Sequence, residues 1–357
     1  MNIQRGEMMS EIVDEKIKPQ KINIAQVTFS VFETIRKVER GDILLGATFQ
    51  RNAKWKFDKK SRLIESIILD IPIQAIYLSE ENENKYEIID GQQRIRTITE
   101  FVSNKFKLES TSFCKENTYF KDLEPSIQRK IEDFQIVIFV VKKENHPDVK
   151  FEIFERINTG AVKLNSQELR NCVYRNRGIP FIKKLANEEL FKRVIKDKHV
   201  SINSMQDQEL VLRFMSFYYK GVGEYTGNLK KFLNDTLENY EQYRNREDEF
   251  KKVFIDTMNS IYNVFGDDAF IIRTRKSRGK DKINIALFEI LTFSFEGKSS
   301  VELIKNKRAI KDKLLFLITN NQIFKEAITS ASTTTKGKTH ERFRIWQESL
   351  EEILGGM

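Results

Sequence analysis

The residues best suited to bind an anion lie where a predicted strand meets a predicted helix. They are Asp90, Gly91, Gln92, Gln93 and Arg94. The first backbone N–H groups of a helix lack partners within it and carry partial positive charge, so they attract phosphate. Gly91 has no Cβ and lets a ligand approach the backbone, and Arg94 offers a planar fork to phosphate oxygens. The pattern predicts a phosphate site, at which Asp90 could hold a divalent metal ion or orient a water molecule.

The alternative for this segment is an ordinary strand–turn–helix junction in which Asp90 caps the helix. A second polar segment, Phe49–Trp55, precedes the first predicted helix. Its Gln50 and Arg51 could converge on the same phosphate. Trp55 either stacks on a base or packs against the protein, and packing is the more common role of a tryptophan.

A third segment places Asn158 and Thr159 in a loop between two helical patterns. Asn165 then precedes a helical stretch that contains Gln167, Glu168 and Arg170, so we expect it to cap that helix. Such a density of polar side chains beside apolar ones indicates the wall of a site. A capped helix–loop–helix accounts for the same pattern.

The most basic stretch of the chain lies between Ile272 and Lys282, where six basic residues accompany one acidic residue. Each basic side chain that neutralises a DNA phosphate steepens the salt dependence of binding by about one unit. We therefore predict that this loop binds DNA, and a solvated surface loop is the alternative. The later stretch Thr333–Thr339 is polar and basic, and we predict a flexible linker there. The predicted DNA-binding residues are Arg273, Arg275, Lys276, Arg278, Lys280 and Lys282.

The elements that must position these residues differ between the two halves of the chain. Strand-like stretches around residues 43–45, 75–78, 86–89 and 134–141 alternate with helical patterns at 62–69 and 95–102. Beyond about residue 150, apolar residues recur at helical spacing almost to the end. The sequence therefore predicts an α+β protein with a mobile tail (1–20), a mixed domain (21–150) and an all-helical domain (151–357).

Composition limits the class of protein. The 357 residues are 40% hydrophobic and carry a formal charge of +9, so the chain can bury a core and leans towards anionic partners. Two cysteines cannot form a disulfide framework, and no apolar run approaches the 18 residues of a membrane span. The first ten residues lack the apolar stretch of a secretion signal. We expect a cytoplasmic protein without a membrane partner.

Three motifs in a fixed order carry a family resemblance. They are Phe49-Gln-Arg51, Asp90-Gly-Gln-Gln-Arg94, and Arg156-Ile-Asn-Thr-Gly160 followed by Leu164-Asn-Ser-Gln-Glu-Leu-Arg-Asn171. In this order the chain resembles the bacterial family called domain of unknown function 262, which includes the GmrS half of GmrSD restriction systems and the N-terminal half of SspE-type defence proteins. The resemblance covers roughly residues 25–240. The segment Arg342–Trp346 is also similar to helical extensions in this family.

The resemblance implies a ParB/sulfiredoxin-like fold for residues 21–150 and binding or hydrolysis of a nucleoside triphosphate with Mg²⁺, coupled to DNA restriction in anti-phage defence. Among the matching positions, Asp90, Gln93 and Arg94 would be catalytic. The nucleotide-binding positions would be Gln50, Arg51, Gly91, Gln92, Asn158 and Thr159. Ala161 departs from the family, where a second glycine is common.

A larger departure is the absence of the nuclease module that GmrSD-type enzymes carry. The three histidines, His146, His199 and His340, have no metal-ligand spacing, and Ser332–Thr339 lacks the first glycine of a P-loop. Cleavage would then belong to a separate nuclease or effector subunit, or to the phosphate site. Two alternatives stay open: a ParB-like nuclease with Asp90 as its metal ligand, and a non-catalytic DNA-binding module. The sequence leaves the oligomeric state open, a homo-oligomer included.

Overall fold

The computed structural model describes residues 22–45, 55–109, 118–157, 165–195, 205–272 and 282–355. These residues form two compact units, which divide between Lys150 and Phe151. The first unit contains a sheet with helices, and the second is helical. The predicted α+β class is therefore confirmed. The tail predicted for residues 1–20 lies outside the described residues.

The first unit contains a five-stranded sheet. Its strands are β1 (Ile24–Ser30), β2 (Ile43–Leu44), β3 (Ile76–Asn82), β4 (Lys85–Asp90) and β5 (Gln135–Val141). The strand order is β1-β5-β3-β4-β2. β1 is antiparallel to β5 and β3 is antiparallel to β4, whereas β5 is parallel to β3 and β4 is parallel to β2. Four strands coincide with the predicted stretches, and β1 is the one that the pattern does not predict.

Four helices pack with this sheet. They are α1 (Val31–Glu39), α2 (Phe57–Ile68), α3 (Gln92–Val102) and α4 (Pro125–Asp133). Their apolar stripes and the inward side chains of the strands form one core. Ile64 and Ile67 of α2 and Ile95, Ile98 and Phe101 of α3 are buried, as their helical spacing predicts. Full burial of such a side chain contributes about 1.5–3 kcal/mol, so these stripes fix the helices to the sheet.

Helices dominate the described chain from α5 onwards. They are α5 (Pro147–Ile157), α6 (Ser166–Val173), α7 (Ile179–Ala186), α8 (Glu189–Ile195), α9 (Gln206–Lys220), α10 (Leu229–Glu238), α11 (Glu247–Phe265), α12 (Ile285–Phe295), α13 (Ser300–Lys305), α14 (Lys307–Asn320), α15 (Gln322–Thr329) and α16 (Lys336–Gly355). The helical unit has its own aromatic-rich core. Among the described helices, none combines the length and apolarity that crossing a bilayer requires.

The start of α16 corrects one prediction. The stretch Thr333–Thr339 was expected to be a flexible linker, but its second half forms the first turn of α16. Thr339 is fully buried, and its hydroxyl donates to the carbonyl oxygen of Thr333 over 3.3 Å. The linker prediction is wrong because Lys336 to Thr339 are helical and Thr339, although polar, is buried with its hydroxyl hydrogen-bonded.

Candidate functional site

The predicted phosphate motif lies where β4 ends and α3 begins. Gly91 separates them and adopts φ +101°, a conformation that side chains other than glycine's rarely tolerate. A Cβ on Gly91 would lie 2.8 Å from Cγ1 of Ile76, which is fully buried in β3. Gly91 is therefore required both by its backbone angle and by the close approach of β3.

The first turn of α3 has no side-chain cap. Gly91 occupies the cap position, and its carbonyl oxygen accepts the backbone N–H of Ile95 at 3.0 Å. The alternative in which Asp90 caps the helix is therefore not what the structure shows. The partial positive charge of a helix start in general favours a bound anion. Of the two glutamines in this turn, Gln92 is buried and Gln93 is half-buried.

Arg94 is buried and holds Asp90. Its Nη2 donates to Oδ2 of Asp90 at 2.5 Å and to the carbonyl oxygen of Ala75 at 3.2 Å, and its Nη1 donates to Oε1 of Gln74 at 2.6 Å. Its Nε atom is buried and has no partner among the described residues. The guanidinium thus ties the end of β4 to the chain entering β3. In this arrangement the guanidinium of Arg94 positions the carboxylate of Asp90, and its two terminal nitrogens are used within the protein instead of being open to a phosphate.

Asp90 keeps part of its carboxylate accessible, because 34% of its side chain is exposed. Within the described part of the chain, no group of three His, Cys, Asp or Glu side chains that could hold a metal ion includes Asp90. Mg²⁺ commonly binds one or two carboxylates, several waters and the phosphates of a substrate. Asp90 is suited to this mode as a single protein ligand. A site in which all metal ligands came from the protein would need more donor side chains than the described residues place around Asp90.

The short strand β2 leaves the sheet at the end where β4 also ends. β2 runs parallel to β4, with Ile43 opposite Tyr86 and Leu44 opposite Glu87. The chain therefore leaves β2 at the end of the sheet where β4 ends. Gln50 and Arg51 follow β2 in sequence but lie outside the described residues. Asn158 and Thr159 lie outside them too.

The helix after the Asn158–Thr159 segment begins as predicted. Asn165 accepts the backbone N–H groups of Gln167 and Glu168, each at 2.9 Å. Glu168 returns the contact, because its Oε2 accepts the backbone N–H of Asn165 at 2.6 Å. This reciprocal pair is a capping box, which fixes the direction from which the chain enters α6.

The other polar residues of this motif are buried. Arg170 donates from Nε to Oδ1 of Asn234 at 3.0 Å and from Nη1 to Oε1 of Gln167 at 3.2 Å. Asn171 donates to Oε1 of Gln208 at 2.7 Å. These bonds join α6 to α9 and α10, so this part of the motif builds the helical unit rather than an open site wall.

A chain of alternating charges, buried except for the half-buried Glu209, continues from Arg170. Carboxylate oxygens of Glu209 lie 3.5 Å from Nη1 of Arg170 and 2.6 Å from Nη2 of Arg213. Glu289 lies 2.6 Å from Nη1 of Arg213 and also pairs with Arg342. Burial, with Arg213 nearby, lowers the pKa of Arg170 to about 10. Burial would raise the pKa of Glu209, but the two arginines beside it hold that pKa below its ordinary value.

The sequence pattern did not single out Glu209, Arg213 or Glu289. Their spacing offers one signal, because Glu209 and Arg213 are separated by four residues and therefore share a helix face. The same spacing relates Asp90 to Arg94. The two bonds of Glu289, to Arg213 and Arg342, join residues more than 50 positions apart, which no local pattern indicates.

Of the predicted DNA-binding residues, the structure describes only Lys282, which is exposed and precedes α12. The other five, from Arg273 to Lys280, lie outside the described residues. The helical unit also has a cleft of about 490 Å³ beside α16, lined by Val222, His340 and Arg344 among others. A ring nitrogen of His340 contacts the carbonyl oxygen of Tyr225, and Arg344 pairs with Glu348. Neither of these contacts pairs a nucleophilic side chain with a general base.

Residues 31–175 match the family model of the GmrSD restriction endonuclease N-terminal domain. The matched range begins with α1, contains β2 to β5, the Asp90–Arg94 motif and the Asn158–Thr159 segment, and ends just after α6. The predicted resemblance is therefore confirmed: this part of the chain is similar to a GmrSD-type N-terminal domain. It occupies less than half of the 357 residues. A search of curated proteins finds no match to the chain.

Proposed function

We propose that the protein is a restriction-type component of anti-phage defence that binds a nucleoside triphosphate at Asp90–Arg94 and hydrolyses it. Binding or hydrolysis would gate the recognition of DNA or the activation of a separate nuclease. The observation that carries the proposal is the uncapped start of α3, which directly follows a glycine with φ +101° and a partly exposed carboxylate. The match to the GmrSD N-terminal domain supports the restriction role.

Each residue of the turn has a distinct role in this proposal. The backbone N–H groups at the start of α3 donate to phosphate oxygens, and Gly91 supplies the backbone angle at which α3 leaves β4. Arg94 keeps Asp90 in place, since its guanidinium bonds both the carboxylate and the carbonyl oxygen of Ala75. Asp90 would then hold the Mg²⁺ that accompanies the nucleotide or orient the attacking water, and Gln93 is the third residue to which the proposal gives a catalytic role.

Residues outside the described part of the chain complete the proposed site. Gln50 and Arg51 follow β2, whose parallel partner β4 leads to Asp90. We propose that they, with Asn158 and Thr159, contact the nucleotide, and that the domain has the ParB-like fold that its family resemblance implies. The basic loop Arg273–Lys282 is proposed to contact DNA phosphates, because its charge would release counterions from the DNA.

The decisive experiment measures nucleotide binding and hydrolysis separately in the full chain. The variant Asp90→Asn keeps an oxygen for Arg94 and nearly the same volume, so the turn should stay folded. Asp133→Asn is the matched control, because Asp133 is exposed and lies in the same unit. ATP, GTP, CTP and UTP would each be tested with Mg²⁺, with and without DNA.

We expect Asp90→Asn to lower hydrolysis by about 100-fold or more, since positioned proton transfer contributes at least that much in other enzymes. Nucleotide affinity should change much less, and the control should behave as wild type. The proposal fails if none of the four triphosphates binds to the folded wild-type chain. Metal-dependent DNA cleavage that needs Asp90 but no nucleotide would establish the nuclease alternative.

A further inference from the structure

The first unit presents a surface on which aromatic rings and lysines alternate. Three segments contribute: the start of α2, the chain after α3 and the turn at Phe120–Asp122. We call this surface the aromatic–basic face and define it by Trp55, Lys59, Phe57, Lys107, Tyr119 and Lys121. None of these residues belongs to the Asp90–Arg94 turn or to the sequence segment 273–282.

The lysines of the face lie over its rings. The amine of Lys59 is 4.4 Å from the centre of the Trp55 ring. The amines of Lys107 and Lys121 are 5.2 Å and 5.7 Å from the centre of the Tyr119 ring. These distances allow cation–π attraction, which holds the amines at defined positions while their charge stays at the surface.

Phe57 is the most exposed ring of the face. Its side chain is 53% exposed, although a large apolar ring at a helix start would normally pack. One side of it is supported by Phe106, whose ring centre is 6.2 Å away. The amine of Lys60 lies 5.5 Å from the Phe57 ring and is paired with Glu100. The Phe57 ring is thus packed against the protein on one side and exposed on the other.

Hydrogen bonds fix the three segments to one another. The backbone N–H of Glu109 donates to Oγ of Ser61 at 2.8 Å, which joins the chain after α3 to α2. The backbone N–H of Lys121 donates to Oδ1 of Asn104 at 2.9 Å, which joins the turn to the same stretch. The positions of the rings and amines are therefore set by the fold and not by one flexible loop.

The charge of the face favours a polyanion. Residues 55–62, 103–109 and 118–122 contain seven basic and three acidic side chains. The carboxylate of Asp122 accepts a hydrogen bond from the backbone N–H of Tyr119 at 3.2 Å. Single-stranded nucleic acid combines a row of phosphates with flat bases, and proteins bind it with a basic surface on which aromatic rings stack the bases. A membrane-binding face would need a broader apolar area than one open phenylalanine.

We propose that the aromatic–basic face binds single-stranded DNA, with Lys59, Lys107 and Lys121 on the phosphates and Phe57 stacked on an unpaired base. Duplex DNA would contact the lysines but not the Phe57 ring, because its bases are already stacked on one another. The inference rests on the DNA interaction of the proposed function, but it does not depend on nucleotide hydrolysis.

The test measures the affinity of the full chain for a labelled single-stranded oligonucleotide over a range of salt concentrations. Lys107→Ala with Lys121→Ala removes two contacts, and Lys307→Ala with Lys311→Ala removes two exposed lysines from α14 as a matched control. We expect the first pair to reduce the salt slope by about 1.4, because each phosphate contact on a single strand contributes about 0.7. The control pair should leave the slope unchanged.

Phe57→Ala separates stacking from charge. We expect it to weaken single-strand binding about tenfold without changing the salt slope, since one stacked base contributes that much in other proteins. Duplex binding should not respond to it. The proposal is overturned if the Lys107/Lys121 variant keeps the wild-type slope, or if those lysines control only binding to anionic phospholipid vesicles.

Nucleotide binding, measured on the same samples, distinguishes the two proposals. Variants of the face that lose DNA but bind nucleotide support this inference and show that the first unit is folded. A chain that binds nucleotide but no DNA overturns this inference and leaves the nucleotide site standing. A chain that binds DNA through these lysines but binds no nucleotide overturns the nucleotide site alone.

Discussion

Gly91→Ala should be far more damaging than its size suggests. The new methyl carbon would lie 2.8 Å from Cγ1 of Ile76, whereas carbon atoms in a protein core prefer about 3.5–4.0 Å. Ile76 is fully buried and cannot move aside freely. Overpacking of this kind costs about 1–3 kcal/mol. The residue must also keep φ +101°, which costs a non-glycine residue about 1–3 kcal/mol more.

Together these effects should lower the free energy of unfolding of the first unit by about 2–6 kcal/mol. Gly41→Ala is the matched control in the same unit. Gly41 also has positive φ, +68°, but a Cβ there would meet no atom within 4 Å. This variant therefore carries the backbone cost alone, about 1–2 kcal/mol.

Hydrogen exchange measured by mass spectrometry would follow each unit separately. Peptides from β5 report the opening of the first unit, and peptides from α11 report the helical unit. We expect exchange in β5 to accelerate more in Gly91→Ala than in Gly41→Ala, with α11 unaffected. Equal acceleration in the two variants would refute the steric argument. Unchanged nucleotide binding by Gly91→Ala would show that the glycine is not needed for the ligand.

The buried charges of the helical unit give two more predictions. Glu289→Gln should lower the free energy of unfolding by about 3–5 kcal/mol, because it removes the charge that Arg213 and Arg342 share inside the core. The fluorescence of the buried Trp346 would measure this in a denaturant series. Glu209→Gln should weaken the loss of stability in acid, because the pKa of Glu209 is lowered in the folded protein.

The sign of the acid effect follows from which state binds the proton. Below the ordinary pKa of 4.5 the unfolded chain protonates Glu209 before the folded chain does. Its contribution is thus complete above that pH and is lost as the pH falls through the lowered pKa. Glu302→Gln, at an exposed position, should leave both the stability and its pH dependence within about 0.5 kcal/mol of wild type. An acid transition that is the same in Glu209→Gln would contradict this account.

Much of the fold was predictable because it rests on local periodicity. The strands at 43, 76, 85 and 135 and the helical stripes of α2 and α3 follow the spacing of apolar residues. β1 was less apparent, because its residues alternate between exposed and half-buried positions and none of them is fully buried. It is defined by pairing with β5, whose residues lie more than 100 positions further along the chain.

The order of the strands was also beyond local patterns. β3 lies between β5 and β4, so neighbours in the sheet are not always neighbours in sequence. The linker predicted at Thr333–Thr339 failed for a related reason. A polar composition indicates solvent only if no packed partner satisfies the polar groups, and here Thr339 is fully buried in the structure.

The sequence by itself determined the α+β fold class, the position of the strand–glycine–helix turn and the capping of α6 by Asn165. These depend on residues that are close in sequence, where backbone conformation and helix ends are set. Only the tertiary structure decided what Arg94 does. Its guanidinium reaches Gln74 and Ala75, which lie 20 and 19 residues away, so it fixes Asp90 in the fold. The same long-range packing joined separate segments into the aromatic–basic face, because side chains meet across a surface only after the chain has folded.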